Sequence, residues 1–186
     1  MTILFKIVWV IWLLSEVLLG RLMRSKNEKS AEHDKNSLVI IWVTILVSIS
    51  MCVLSTVYLD FPIGLGFIPA YTGLVLIMLG MVIRFTAIRS LGKHFTVDLA
   101  IRKDHRLIKS GLYSYVRHPS YTGSLLSFLG FGLSLNSWPC IPLALLPVII
   151  SFMYRINVEE KMLEKSFGEE YKQYQHETKR LIPWIY

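Results

Sequence analysis

The stretch that decides the fold reads SYTGSLLSFLGFGLSLNSWPCIPLALLPVIISFMYRI and covers residues 120–156. It contains two apolar runs, about 120–136 and about 139–156, which are separated by the residues Asn-Ser-Trp-Pro. Asn, Ser and Pro favour turns, and so short a connection makes two successive helices antiparallel neighbours. The stretch therefore predicts a helical hairpin.

Three further apolar segments precede this hairpin, at about 4–20, 38–59 and 68–88. Each is close to the roughly 20 residues that a helix needs to cross about 30 Å of hydrocarbon. The chain is 53% hydrophobic and 18% charged, and its mean hydropathy is +0.49. These values predict an all-α, multi-pass integral membrane protein with five transmembrane helices in a single domain, residues 1–186. The first segment is interpreted as a retained span, because it is long and no cleavage site follows it.

The basic residues predict the orientation in the membrane. Most of the 20 Lys and Arg residues lie in segments 21–37, 89–117 and 161–180, whereas the connections 60–67 and 136–139 contain none. Basic loops stay on the cytoplasmic side, so we expect the N-terminus outside and the C-terminus in the cytoplasm. A nucleic-acid partner is not expected, because the charge is divided among three loops without a recognition motif. The two isolated cysteines predict neither a disulfide framework nor a metal site.

Polar residues cluster at the two ends of the hairpin that would meet on the cytoplasmic side. Pro119 fits the first turn of a helix, whose free N–H groups suit a carboxylate, and His118 and Tyr121 could add polar contacts. Arg155 and Glu159 are four residues apart and share a helix face. An arginine can hold an anionic head group, and a carboxylate accepts hydrogen bonds from ribose hydroxyls or an ammonium. The two clusters predict a membrane enzyme with a charged cofactor in water and a lipid-soluble substrate.

Two flanking segments are predicted to cover this site. The segment 89–119 has an alternating apolar pattern near its middle, which indicates an ordered lid or pocket wall. After residue 156 an amphipathic continuation is expected along the membrane surface. The capping-box spacing of Ser166 and Glu169 predicts that a second short helix starts there.

The other polar residues near the spans are given structural interpretations. Arg84 is expected to extend to the membrane interface, Glu16 lies near a helix end, and Glu160 is expected to be solvated. Small residues seven apart predict close helix packing, and they form two pairs: Gly73 with Gly80, and Gly123 with Gly130.

The last half of the chain resembles a known family. VRHPSYTG at 116–123, preceded by DHRLIKSGLY at 104–113, is similar to the signature of isoprenylcysteine carboxyl methyltransferases. Further matches are Arg155-x3-Glu159-Glu160, Phe167-Gly168-x2-Tyr171-x2-Tyr174 and Leu181-Ile182-Pro183. The resemblance covers about residues 85–186, and the short length is more like the prokaryotic members. An acid at Asp98 departs from the family pattern, which has a polar, often amide, residue near this position.

The resemblance implies an S-adenosylmethionine-dependent methyltransferase whose cofactor lies in a cytoplasmic pocket, closed by segment 89–119 and the C-terminal helices. It implies that Arg155 and Glu159 are the catalytic residues, that Arg155 binds the anionic head of the substrate, and that Glu159 contacts the cofactor. The other cofactor-binding residues it implies are His105, Arg106, Leu107, Ile108, Tyr113, His118, Pro119, Ser120 and Tyr121. No metal is implied.

Several acceptors and functions stay open at this point. The acceptor is expected to be lipophilic: an isoprenylcysteine carboxylate, as on a prenylated protein, or another lipid carboxyl or hydroxyl group. The alternatives are N-methylation of a phospholipid amine, an NADPH-dependent enzyme like the sterol reductases, and a non-catalytic scaffold. Membrane lipid is an expected partner, and the short chain favours a bacterial inner membrane.

Overall fold

The computed structural model describes residues 3–22, 32–59, 61–92 and 107–183. These ranges form six α-helices and one short 3-10 helix, Gly111–Ser114. The α-helices are α1 (Ile3–Leu22), α2 (Glu32–Tyr58), α3 (Ile68–Leu91), α4 (Pro119–Ser134), α5 (Cys140–Phe167) and α6 (Glu169–Glu177). The predicted all-α class is confirmed, and each of the five predicted apolar segments lies in one of the helices α1 to α5.

Proline and glycine set several of the helix ends. Pro69 and Pro119 lie in the first turns of α3 and α4, where the missing N–H is not needed. Gly168 separates α5 from α6 with a φ of 55°, a conformation that favours glycine. The predicted start of the last helix at Ser166 is wrong, because that residue still belongs to α5. The expected surface continuation after residue 156 is likewise part of α5, which runs unbroken to Phe167.

Helices α3 and α4 approach closely along their glycines. A Cβ atom at Gly130 would lie 2.5 Å from the carbonyl oxygen of Gly73, and one at Gly123 would lie 2.6 Å from that of Gly80. No side chain fits at such distances from a backbone atom, so the predicted close packing is confirmed. This contact fixes α4 against α3.

Two other contacts complete the bundle. The fully buried Trp12 of α1 packs against α4, with its ring 4.9 Å from that of Phe128 and 5.6 Å from that of Phe131. Between α2 and α5, the buried thiol of Cys52 lies 3.5 Å from the carbonyl oxygen of Cys140. Both cysteines are free and buried, so they act as packing residues between these two helices.

The chain is a multi-pass membrane protein. Three of the described helices, α2 from residue 37, α3 and α5, are long and apolar enough to cross a bilayer by length and composition. The two connections without basic residues lie side by side, since the amide of Trp138 donates to Phe61 at 3.0 Å and that of Ile63 to Asn136 at 3.3 Å. The ends of the bundle that carry the predicted site residues lie opposite these connections.

Candidate active site

The site begins where the chain enters α4. His118 is the residue before the first helical position and its side chain is only 4% exposed. The C-terminal tail runs beside it, because the amide of Arg117 donates to Lys179 at 2.7 Å and that of His118 to Arg180 at 3.0 Å. The hydroxyl of Thr122 donates to the carbonyl of Leu181 at 2.7 Å. The tail is thereby attached to the first turn of α4.

Glu160 joins the start of α4 to α5 and to the tail. Its Oε1 accepts from Nε of Arg117 at 2.9 Å and lies 3.3 Å from Nε2 of His118. Its Oε2 lies 2.7 Å from a terminal nitrogen of Arg180. The side chain of Glu160 is 5% exposed, so the expectation that it is solvated is wrong. The carboxylate is buried because three cationic or hydrogen-bonding groups surround it.

Arg117 connects the start of α4 to the end of α6. Its guanidinium donates to the carbonyl of Gln175 at 3.1 Å and also to that of Thr178. These carbonyls belong to the last turn of α6 and the residue after it, so one arginine links α4, α5 and α6. Sequence reasoning missed this network, although Arg117 and His118 at the start of one hairpin helix and the paired glutamates in the second half of the other were a signal for it.

Glu159 is the acid that remains accessible. Its Oε2 accepts from the hydroxyl of Tyr121 at 3.2 Å and lies 3.9 Å from Nδ1 of His118. Its side chain is 29% exposed, in contrast to that of Glu160. The predicted cofactor residues His118, Tyr121 and Glu159 are therefore brought together, with a carboxylate that a ligand can reach.

Arg155 is one turn earlier on α5 and is only 1% exposed. Its guanidinium donates to the hydroxyl of Ser37 near the start of α2. Arg155 and Glu159 thus lie on the same helix, as predicted, and contact α2 and α4 respectively. The site thus contains a buried guanidinium one helical turn from an accessible carboxylate.

Two tyrosines, Tyr113 of the 3-10 helix and Tyr174 of α6, form another side of the site. The hydroxyl of Tyr174 donates to the carbonyl of Tyr113 at 2.6 Å, and Lys109 lies 5.9 Å from the centre of the Tyr174 ring. Burial raises the pKa of the Tyr113 phenol and of the Tyr174 phenol. Both hydroxyls therefore stay protonated well above neutral pH, and that of Tyr174 acts as a donor.

The remaining predicted residues divide into two groups. Leu107 and Ile108 are half-buried and precede the 3-10 helix, and Pro119 and Ser120 form the first turn of α4. The predictions for His105, Arg106 and Asp98, and for the middle of the 89–119 lid, lie outside the described residues.

Sequence reasoning also missed a buried ion pair next to this site. A terminal nitrogen of Arg84 lies 2.9 Å from Oε2 of Glu16. The expectation that Arg84 extends to the interface is wrong, because its charge is compensated by an acid on α1. Only the packing of α1 beside α3 brings the two residues together.

Comparison with known proteins places this arrangement in a family. Residues 69–170 match the family model described as phospholipid methyltransferase. The protein-S-isoprenylcysteine O-methyltransferase of Tribolium castaneum is 38% identical over 115 residues, which are 61% of this chain and 41% of that protein. Protein-S-isoprenylcysteine O-methyltransferase B of Arabidopsis thaliana is 35% identical over 116 residues, with 61% and 58% covered. The chain thus spans about half the length of these curated relatives.

A solved structure has the same fold. The eukaryotic intramembrane Ras methyltransferase, isoprenylcysteine carboxyl methyltransferase, is 27% identical with a TM-score of 0.66, and the match covers 97% of this chain and 65% of that one. The resemblance predicted from the motifs is confirmed. Because the family model spans more than half of the 186 residues, the chain belongs to the phospholipid methyltransferase family, and its relatives there are isoprenylcysteine carboxyl methyltransferases.

Proposed function

We propose that this protein is an S-adenosylmethionine-dependent methyltransferase that esterifies a carboxylate on a lipid-soluble acceptor of the isoprenylcysteine type. The observation that carries the proposal is the accessible Glu159 carboxylate. Tyr121 and His118 lie next to it where the start of α4 meets the second half of α5. The names of the relatives support the same activity.

The donor groups of the site fit the cofactor. S-adenosylmethionine has ribose hydroxyls, an ammonium and a carboxylate, and it supplies a methyl group on a sulfonium. Glu159 would accept from the hydroxyls or the ammonium. The N-terminal end of α4, with the positive end of its helix dipole, would face the carboxylate, and the buried ring of Tyr113 and the half-buried ring of Tyr121 would cover apolar parts.

Arg155 would hold the anionic head of the acceptor. A buried guanidinium attracts a carboxylate strongly because little water screens the charge. A carboxylate oxygen is already a nucleophile and loses no proton when it gains a methyl group, so no general base is required. The residues of this site would contribute position and exclusion of water, which are large effects for a displacement reaction.

The placement in the membrane is part of the proposal. All five helices α1 to α5 would cross the bilayer, with the N-terminus outside and the C-terminal helices in the cytoplasm. The basic segments at one end of the bundle support this orientation, as does the pairing, at the other end, of the two connections that lack basic residues. A bacterial inner membrane stays a prediction.

The proposal is tested by binding and by product formation. Calorimetric titration of the detergent-purified protein with S-adenosylhomocysteine is expected to give micromolar affinity, which Glu159→Ala abolishes. Glu164→Ala, an exposed acid on the same helix, serves as the control. Methyl transfer is then measured with N-acetyl-S-farnesylcysteine and with phosphatidylethanolamine as acceptors.

Each outcome decides between functions. A base-labile methyl ester on the farnesylcysteine supports the proposed reaction, whereas N-methylated phospholipid as the sole product would replace it with amine methylation. Binding of NADPH without binding of S-adenosylhomocysteine would indicate a reductase. If the protein binds none of these ligands, the interpretation as a non-catalytic scaffold remains.

A further inference from the structure

The ion pair of Glu16 and Arg84 lies inside the helix bundle and has no place in the proposed reaction. The two side chains are 8% and 17% exposed, and their charged atoms are 2.9 Å apart. Charged residues within membrane helices are costly and are retained mainly for function. A role for this pair must follow from what else it contacts.

Among the described residues, the other side-chain hydrogen bonds of this pair lead to the first turns of α4. NH1 of Arg84 donates both to the carbonyl oxygen and to the hydroxyl of Ser120, each at 3.2 Å. The hydroxyl of Ser124, one turn later, lies 3.5 Å from Oε1 of Glu16. The pair therefore joins α1 and α3 to the part of α4 that begins the proposed cofactor site.

This part of α4 has a narrow positional tolerance. Ser120 immediately precedes Tyr121, whose hydroxyl is 3.2 Å from Glu159. A shift of α4 by about 1 Å would exceed the range of that hydrogen bond. The glycine contacts fix the distance between α4 and α3. The Arg84 contacts fix the N-terminal end of α4.

The charge of Arg84 also acts on Tyr113, which lies on another side of the site. Burial raises the pKa of the Tyr113 phenol and the Glu159 carboxylate raises it further, whereas the Arg84 guanidinium acts in the opposite direction. The charge of Arg84 thus reaches two residues that are assigned to the cofactor, Tyr113 and Ser120.

We infer that Glu16 and Arg84 are positioning residues, which hold the first turn of α4 so that Tyr121 and Glu159 meet at the distance that cofactor binding requires. The inference rests on the proposed function for its link to the cofactor. Neither residue needs to touch the cofactor or the acceptor. Glu16 acts through Arg84, and Arg84 acts through the Ser120 peptide.

The test compares two variants whose side-chain contacts lie at opposite ends of α4. Glu16→Gln keeps the shape of the side chain and removes its charge next to the site. Ser134→Ala removes the hydroxyl that accepts from Nε1 of Trp9 at 3.0 Å, at the opposite end of α4. Both are made in the full chain, with Glu16→Asp as a further variant if Glu16→Gln does not fold.

Two readouts separate positioning from general stability. Glu16→Gln is expected to raise the Kd for S-adenosylhomocysteine about tenfold, whereas Ser134→Ala leaves it unchanged. Hydrogen exchange of backbone amides in residues 119–124 is expected to accelerate in Glu16→Gln only. Arg84→Lys keeps the charge and should recover part of the affinity that Arg84→Gln loses.

The outcomes distinguish this inference from the proposed function. A lower melting temperature with unchanged Kd and unchanged exchange at 119–124 would overturn the positioning role. If the unaltered protein binds no S-adenosylhomocysteine, the proposed function fails. In that case hydrogen exchange alone decides the inference: faster exchange at 119–124 in Glu16→Gln than in Ser134→Ala supports it, and equal exchange overturns it.

Discussion

The carboxylate of Glu160 lies 3.3 Å from Nε2 of His118, which joins the second half of α5 to the start of α4 across 42 residues of sequence. The adjacent acid, Glu159, approaches Nδ1 of the same ring at 3.9 Å. The imidazole of His118 thus faces the carboxylates of two neighbouring glutamates, whose surroundings differ. Glu160 serves the structure, and Glu159 remains available to a ligand.

Removal of the Glu160 carboxylate should destabilise the protein. Glu160→Ala leaves Arg117 and Arg180 without their buried partner, and we expect the free energy of unfolding to fall by about 3 kcal/mol. Chemical unfolding in detergent, followed by circular dichroism, measures this loss. Glu164→Ala provides the comparison, because that exposed acid should change stability by less than about 0.5 kcal/mol. Equal losses in both variants would contradict the structural role of Glu160.

The hydroxyl of Tyr121 should affect cofactor affinity more than stability. Tyr121→Phe removes the donor to Glu159 but keeps the ring packed 5.0 Å from that of Phe152. We expect the Kd for S-adenosylhomocysteine to rise about fivefold, since a hydrogen bond contributes about 1 kcal/mol. Tyr154→Phe on the exposed side of α5 is the matched control. A Kd that stays the same in both variants would show that Tyr121 does not orient Glu159.

Substitution of Arg155 should separate acceptor binding from cofactor binding. For Arg155→Ala we expect kcat/KM for an anionic acceptor to fall about a hundredfold, because a buried partner for the carboxylate is lost. The Kd for S-adenosylhomocysteine should change little. Arg155→Lys should recover only part of the activity, since lysine lacks the planar fork of arginine. A parallel loss of cofactor affinity would indicate that Arg155 belongs to the cofactor pocket instead.

The glycine contact between α3 and α4 should tolerate no side chain. In Gly130→Ala the new Cβ would lie 2.5 Å from the Gly73 carbonyl oxygen and 2.7 Å from the Ile77 amide nitrogen. We expect a loss of about 3 kcal/mol, as for overpacked cores, measured as a lower midpoint of thermal unfolding. Met78→Ala, at an exposed position of α3, should have a much smaller effect. An unchanged midpoint for Gly130→Ala would show that the helices can separate without cost.

The hydroxyl groups of the two tyrosines of α6 should differ in their contributions to the free energy of unfolding. The hydroxyl of Tyr174 donates to Tyr113 at 2.6 Å, so Tyr174→Phe should cost about 1 kcal/mol. The hydroxyl of Tyr171 has no hydrogen-bond partner among the described residues. Tyr171→Phe should therefore leave the stability at pH 7 nearly unchanged, and a large loss there would reveal a partner for this hydroxyl.

Alkaline pH should weaken the same region. Burial, followed by the negative charges of Glu160 and Glu159, raises the pKa of Tyr171 in the folded protein. The unfolded chain ionises near its ordinary value of about 10, so the unfolded state binds fewer protons above that pH and stability falls as the pH rises. Unfolding midpoints measured from pH 8 to 11 should decline less in Tyr171→Phe than in the unaltered protein. An identical decline would show that this phenol ionises freely in the folded state.

Much of the architecture follows from local sequence. The five apolar helical segments, the tight hairpin turn and the close glycine contacts are predictable, because apolar length, proline, and glycine spacing act within a single segment or its neighbour. The family resemblance and its assignment of Glu159, Tyr121 and His118 to one place were also readable from motifs. The unbroken α5 was not, because its polar second half has the pattern of a surface helix.

The sequence by itself determined that this is a helical membrane protein that resembles the isoprenylcysteine carboxyl methyltransferases, because hydrophobic segments and compact motifs are properties of contiguous residues. Only the tertiary structure decided the partners of the charged residues. Glu160 is buried because Arg117, from the start of α4, and Arg180, from the tail, meet it. Arg84 finds Glu16 only when α1 packs beside α3. A buried charge is stable where an opposite charge lies close in space, and that proximity is created by helix packing.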